Sequence, residues 1–404
     1  MRLSPTPPDA PGPAPLYLRG RVWRGRADGG VASGHCVLCR DGRIAAVARA
    51  AASPPPPGVA VIDCGDGCIM PGLINAHMHG AHDATARRNA FLPYGVTTVC
   101  DMGAPLDAMP ALGQAHDPAG RPAGRCLMAG PVLTAPGGYP GPRHGAAYAL
   151  EVADAHTARE AVRLLAARGA RVVKMAFEPG CGPRPWPMLD AATARAVVTT
   201  AHGLGLPVRA HVEDLAQLPR ALDAGVDGVE HVPARYGTGQ ARAAYALDQE
   251  YARLLRRMVD QRVTLTPTLS AAVAKVLDNG PLLAVVAAFH AMGGVVAMGT
   301  DYPSVLAAPG TPPGMPRDEL ELLVRAGLSP AAALEAATRG AARACGMAGR
   351  LGELAPGMAA DIIVAAENPL ADVGALRTLT CVIAAGEPVS TPAAPWTRVV
   401  AAAT

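Results

Sequence analysis

The pattern of apolar and polar positions changes grain twice along the chain. Over residues 16–69 it predicts short strands separated by turns, at 16–23, 36–39, 43–47 and 59–62, with a Pro-rich break at 54–58. From Met70 short apolar runs alternate with amphipathic helical segments. The predicted strands lie at 69–76, 97–101, 125–129, 171–176, 207–212, 228–232, 263–268 and 295–299. The clearest helices between them are 158–168, 191–204, 213–224, 250–262 and 282–292. Alternating β and α units predict a parallel sheet with helical crossovers, and eight of them predict a closed barrel. A helical stretch at 317–346 follows, with Ser329-Pro330 as a helix start. Strands then return at 352–354, 360–364 and 379–384, with Gly386 at a turn. The expected fold is α/β: a (β/α)8 TIM barrel over 70–349, with a small β-sandwich domain formed by both chain termini, 15–69 and 350–404. Residues 1–14 read as a disordered Pro-rich arm.

Composition narrows the function classes. Half of the 404 residues are hydrophobic and 17% are charged, enough for a large core. A net charge of +3 is close to neutral for this length, and aromatics make up 3%. Neither a nucleic-acid surface nor a membrane surface is expected. Nine cysteines, an odd number scattered from Cys36 to Cys381, fit reduced thiols in a cytoplasmic protein. The Pro-rich N-terminus has no apolar core of a signal peptide, and no run of 18 apolar residues predicts a membrane span. Cys36-x-x-Cys39 with Cys64-x3-Cys68 imitates a zinc ribbon, but the apolar strand context favours small buried thiols. Arg87-Arg88 reads as a solvated helix face, and His82 as a surface residue.

Candidate chemistry falls at strand ends. His77 and His79 alternate on the first barrel strand, so both face one side, at the end where barrel active sites lie. Two neutral imidazoles converging there suit a metal. Lys174 ends an apolar strand, where a buried ammonium is costly unless neutralised or paired. Carbamylation by CO2 would turn it into a carboxylate able to bridge two cations; a rim salt bridge is the plainer reading. His211 and His231 each close a short strand, and Asp301 closes the last, after Gly299. Any one of these could be a satisfied core residue or a helix cap. Six potential ligands on one rim are harder to explain that way.

At this point the sequence resembles the amidohydrolase superfamily over about residues 16–390. The resemblance rests on Pro71-Gly-Leu-Ile-Asn-Ala-His77-Met-His79, Lys174, His211, His231, Gly299-Thr300-Asp301 and the tail Gly349-Arg-Leu-Gly-Glu-Leu-Ala-Pro-Gly-Met-Ala-Ala-Asp361. Gly95-Val-Thr-Thr-Val-Cys-Asp101 and Ala224-Gly-Val-Asp-Gly-Val-Glu-His231 look most like the branch with prolidase-like dipeptidases and imidazolonepropionase.

By that resemblance His77, His79 and Asp301 hold one divalent metal ion and His211 and His231 a second. N6-carboxylated Lys174 bridges the two, and zinc is the expected ion. A metal-activated hydroxide then attacks the amide-type carbonyl of a small molecule, a dipeptide, N-acyl amino acid, lactam or cyclic amide. Asp301 relays the proton to the leaving nitrogen. His144 and Arg143, in a Gly/Pro-rich loop, and Tyr236, in a rim loop, are the candidate substrate contacts. The alternative is a lyase, cyclase or deaminase using the same metals. Asp214 stands where cytosine-type deaminases carry Glu, which argues against the last. A homo-oligomer paired through barrel rims is a mild expectation.

Overall fold

The computed structural model describes residues 12–81, 91–113, 123–180, 182–236, 243–272, 279–302, 316–389 and 399–400. Most of the arm expected at 1–14, together with His82, Arg87 and Arg88, lies outside them. Four strands come first: β1 (Leu16–Val22), β2 (Ala32–Arg40), β3 (Arg43–Arg49) and β4 (Ala60–Pro71). The middle of the chain supplies β5 (Leu73–Met78), β6 (Val96–Asp101), β7 (Arg125–Met128), β8 (Val132–Thr134), β9 (Ala149–Glu151), β10 (Val173–Ala176), β11 (Val208–His211) and β12 (Gly228–Glu230). After these come β13 (Arg235–Tyr236), β14 (Ala243–Ala244) and β15 (Thr264–Thr266). The last strands are β16 (Ile362–Ala365), β17 (Leu379–Ala384), β18 (Glu387–Pro388) and β19 (Val399–Val400).

Both ends of the chain meet in one eight-stranded sheet of order β18-β17-β16-β4-β1-β2-β3, with β19 also on β4. Its alternating residues fill two apolar layers. Leu16, Leu18, Val37, Ile62, Ile362 and Val364 pack on one face, and Tyr17, Cys36, Val59 and Val61 on the other. Cys36, Cys39 and Cys68 are buried there, and burial pushes the Cys39 and Cys68 thiols up to about 12 and about 11. They pack as small apolar groups, as expected. The stretch 352–354, expected as a strand, forms a turn instead. The strand expected at 69–76 is split: through Pro71 it belongs to β4, and from Leu73 to β5. The break falls at Gly72, where only glycine fits, since a Cβ would fall 2.4 Å from Thr97 Oγ1.

The middle strands run parallel in two ladders, β5-β6-β7 and β15-β12-β11-β10-β8-β9. Arg171 N donates to Met128 O at 2.9 Å, joining the two beside β7. On the far side, residues 295–302 sit between β15 and β5. Ala297 N donates to Leu265 O at 2.8 Å, and Ala76 N to Met298 O at 2.9 Å. This segment was expected as the eighth strand, yet it forms isolated bridges rather than a ladder. The reason lies in the helical stretch behind it. Met298 N donates to Ala336 O, where the helix 330–344 widens into a π turn at Ala336–Gly340. A side chain on Gly340 would strike Val296 O at 2.3 Å.

Helices Ala155–Ala167, Ala191–Gly203, Gln249–Asp260 and Gly280–Ala291 lie where the periodicity placed them. Aspartates 154, 190 and 248 cap the first three. The helix expected at 213–224 starts only at Leu218. Before it, Glu213 and Asp214 are held by the backbone of Ala234, with Ala234 N donating to Glu213 O at 2.7 Å. Among the described residues no helix is long and apolar enough to cross a membrane.

Candidate metal centre

His77 is buried near the end of β5, and His79 follows it, half exposed. Their Nε2 atoms lie 3.3 Å apart, and Asp301 Oδ1 lies 3.3 Å from each. Asn75 fixes the frame: its Oδ1 accepts from His77 N and Thr300 N, and its Nδ2 donates to Thr300 Oγ1. Gly299 is required here, because a Cβ would meet His77 Cβ at 2.7 Å. Asp301 itself has φ +53°, a left-handed backbone that a non-glycine residue adopts at a cost of order 1–3 kcal/mol.

A second group stands beside the first. His211 Nδ1 and His231 Nε2 are 3.0 Å apart, and the Glu213 carboxylate completes a trio whose ligand atoms all lie within 4.8 Å of one another. His231 also has positive φ, +68°. Its Nδ1 bonds Thr268 Oγ1 at 2.9 Å, which leaves Nε2 facing His211. The His77 and His231 rings are 5.1 Å apart between centroids, so the two groups share a border. Lys174 is buried and acts electrostatically on both of these histidines and on Asp301. Burial lowers its ammonium to about 8, which leaves much of it as free amine in mildly alkaline solution.

Underneath runs a buried ion pair. Arg209 Nε and Nη2 donate to Glu230 at 2.6 and 2.7 Å, and Glu230 Oε2 meets His77 Nδ1 at 2.5 Å. Arg209 also donates to Ala76 O and Thr266 Oγ1. Gly228 leaves room for it, since a Cβ there would stand 3.1 Å from Arg209 Cγ. Burial alone would raise the Glu230 carboxyl, but Arg209 and then Lys174 hold it well below the usual carboxylate range. The charged carboxylate fixes the His77 ring so that Nε2 points at Asp301.

The donors suit divalent cations. Burial first, then neighbouring positive charge, keeps His77 and His231 low, hence neutral with free lone pairs. The Asp301 carboxyl is held well below the usual carboxylate range although burial opposes it, by the His77 and His79 rings beside it. A zinc ion bonded at ~2.05 Å to tetrahedral ligands holds them roughly 3.3 Å apart, the spacing of the first group.

Five of the six expected ligands therefore fall into two adjacent groups, and Lys174 is buried close enough to act electrostatically on His77, His231 and Asp301. Arg143 and His144 lie exposed on the short helix Gly141–His144, with His144 Nε2 3.5 Å from Tyr139 Oη. Tyr236 pairs through its backbone with Ala243; its side chain lies outside the description. Sequence reasoning missed Glu213, placed in a helix, and the Arg209–Glu230 pair. Alternation was the available signal for Arg209, which shares its parity with His211 on β11.

One buried carboxyl supports the second group from behind. Glu319 accepts from Leu269 N and Ser270 N, both at 2.7 Å, and so fixes the turn that carries Thr268. Burial lifts it from 4.5 to about 7. A raised carboxyl favours the folded state at low pH and loses that benefit as pH climbs from 4.5 to 7. We expect Glu319→Gln to flatten that slope, read as urea midpoints across pH 4–8; an unchanged slope would show that Glu319 does not titrate with folding.

With the geometry in hand, comparison with known proteins is direct. Residues 68–389 match the amidohydrolase family. An uncharacterised protein of Mycobacterium bovis is 28% identical over 349 residues, covering 79% of this chain and 85% of its own. Ochratoxinase of Aspergillus niger is 31% identical over 269 residues, covering 61% of this chain and 52% of its own. A crystal structure of a candidate prolidase from Bifidobacterium longum superposes with a TM-score of 0.77 and 28% identity, covering 95% of this chain and 97% of that one. The chain belongs to the amidohydrolase family, a generally metal-dependent family of hydrolases, in its prolidase-like branch.

Proposed function

We propose that the chain is a binuclear metal-dependent hydrolase of amide-type C–N bonds in small molecules, working in the cytoplasm. The reading includes a (β/α)8 barrel over 70–349 and a β-sandwich built from 15–69 and 350–404. The hydrogen bonds that flank 295–302 and link Met128 to Arg171 support closure of the barrel. The observation that carries the function is the pairing of two ligand groups around one buried lysine of lowered pKa.

His77, His79 and Asp301 would hold one ion; His211 and His231 would hold the other, with N6-carboxylated Lys174 shared between them. Zinc fits the histidine and carboxylate donors. Bound ions would supply Lewis acidity to a water and to the substrate carbonyl. Asp301, a partly buried member of the first group, takes the proton of the attacking water and returns it to the leaving nitrogen. Arg143, on the exposed helix, offers a fork for a substrate carboxylate, which favours dipeptides and N-acyl amino acids; a relative named as a prolidase is consistent with that class.

The test is a panel of dipeptides, N-acyl amino acids and cyclic amides, offered to enzyme loaded with zinc and bicarbonate. We expect at least one to be hydrolysed, with loss on chelation and recovery on adding zinc. Full metal loading with no amide turned over would overturn the hydrolytic reading in favour of a lyase or cyclase.

A further inference from the structure

A histidine ring carries two nitrogens, and only the one without a proton can hold an ion. For His77 the choice is made by Glu230, which meets Nδ1. His211 lies out of reach of that carboxylate's anchor. Its ring is buried, and its Nδ1 faces His231 Nε2 at 3.0 Å. Tyr139 stacks on it, with centroids 4.3 Å apart and planes at 23°. Stacking fixes the plane of a ring and leaves open which way round the ring lies. A polar partner must settle that. The group that faces Nε2 is Glu178, whose Oε2 is 3.7 Å away.

The backbone sets Glu178 in this place. β10 and β11 run in parallel register with Ala176 beside His211, and Phe177 N donates to His211 O at 3.0 Å. Glu178 follows directly. Its Oε1 accepts from Gly180 N at 2.7 Å. Gly180 has φ +71° and lies under Trp186, where a Cβ would stand 3.0 Å from the indole. That leaves Oε2, which is buried and has no hydrogen-bond donor among the described residues. A buried carboxylate oxygen without a donor is costly, and a native structure keeps one for a reason. Arg209 supplies donors to Glu230; the basic group that faces Glu178 is the His211 ring itself.

We propose that Glu178 is a positioning residue for the second metal group: its Oε2 takes the Nε2 proton of His211 and so leaves the Nδ1 lone pair for the ion beside His231. The proposal rests on the binuclear reading of the site. At 3.7 Å the pair is just too long for a hydrogen bond, and a small turn of the ring closes it. Each group then has one histidine held from behind by a carboxylate, His77 by Glu230 and His211 by Glu178. Losing such a partner lowers metal affinity roughly 10- to 100-fold.

The test titrates zinc, with bicarbonate present, into metal-free full-length chains against a competing chelator dye. The chains are wild type, Glu178→Gln, Glu178→Ala and His231→Ala. The binding step that His231→Ala loses marks the second group. Glutamine keeps the size of glutamate and reverses what it offers the ring. Gly180 N claims the amide oxygen, the NH2 turns to His211 Nε2, and the ring proton is driven to Nδ1. Glu178→Gln should therefore weaken the marked step roughly 10- to 100-fold, with Tm and the other step unchanged. Glu178→Ala should weaken it no more than that, since water can enter and accept the proton. A purely structural role gives the opposite order, with Glu178→Gln like wild type and Glu178→Ala damaged. That order, or a marked step at wild-type strength in both variants, would overturn the proposal. A wild type with a single step, or a His231→Ala chain that keeps both, would remove the binuclear reading itself, and this role with it.

Discussion

Lys174→Ala should bring bound zinc from two ions per chain to one or fewer and depress amide hydrolysis on the order of 1000-fold. The magnitude follows from losing the charge stabilisation of one cation, worth several kcal/mol, at about 1.4 kcal/mol per tenfold in rate. The chemistry begins with burial: it brings the amine to about 8, so a neutral nucleophile exists to attack CO2. In the proposed carboxylation the nitrogen lone pair would form the N–C bond, one proton would leave to solvent, and an anionic carbamate would stand where the amine did. Zinc loading of the wild type should therefore rise with bicarbonate and with pH through about 8. Lys174→Arg is the informative companion. Its guanidinium stays charged and cannot be carbamylated, so it should lose metal at least as severely. Elemental analysis across the three proteins decides the matter: one ion per chain in all of them would remove Lys174 from any bridging role.

The second large effect is expected from the buried pair below the site. Arg209→Met leaves Glu230 buried and ionised without its guanidinium partner, and breaking such a pair costs about 3–5 kcal/mol. Glu230→Gln should be milder for stability yet still damaging for metal. His77 loses its anionic anchor, and zinc affinity falls roughly 10- to 100-fold. The double variant Arg209→Met/Glu230→Gln should recover part of the stability and none of the affinity. The pH dependence has a definite sign. Arg209 holds the Glu230 carboxyl below its ordinary 4.5, so the pair contributes stability above pH 4.5 and loses it as pH falls further. Denaturant midpoints measured between pH 3 and 7 should show that acid limb in wild type and lose it in the double variant. A double variant that bound zinc as tightly as wild type would show that His77 needs no anchor.

The readable parts of this protein were those that obey a period. Strand alternation put His77 on the side where it meets His79, and apolar runs ending in His211 and His231 marked strand ends, whereas Lys174, read as a strand end, lies inside Val173–Ala176. What escaped was set by partners remote in sequence. Glu213 was hidden because residues 213–224 have helical composition; the backbone of Ala234 pulls Glu213 and Asp214 out of that helix and onto the rim. The segment 295–299 reads as a strand from its apolar run, but Met298 gives its amide to Ala336 instead of a neighbouring strand. The close approach of Thr97 that requires glycine at 72, where β4 gives way to β5, is likewise invisible to local pattern. The stacking of Tyr139 on His211 escaped for the same reason, since the two are remote along the chain.

The sheet shared by the two chain ends has a consequence during synthesis. β4 needs β16 on one side, and everything between Pro71 and Ile362 must be made first. At about 5–20 residues per second that wait is on the order of tens of seconds. For all that time the emerging chain carries an apolar strand, Ile69-Met70-Pro71, with an open edge facing whatever else is nearby. Ribosome-associated holdases that shield such an edge should therefore govern how much active protein a cell accumulates, more than the final stability does. Chains truncated before Ile362 should collect in inclusion bodies.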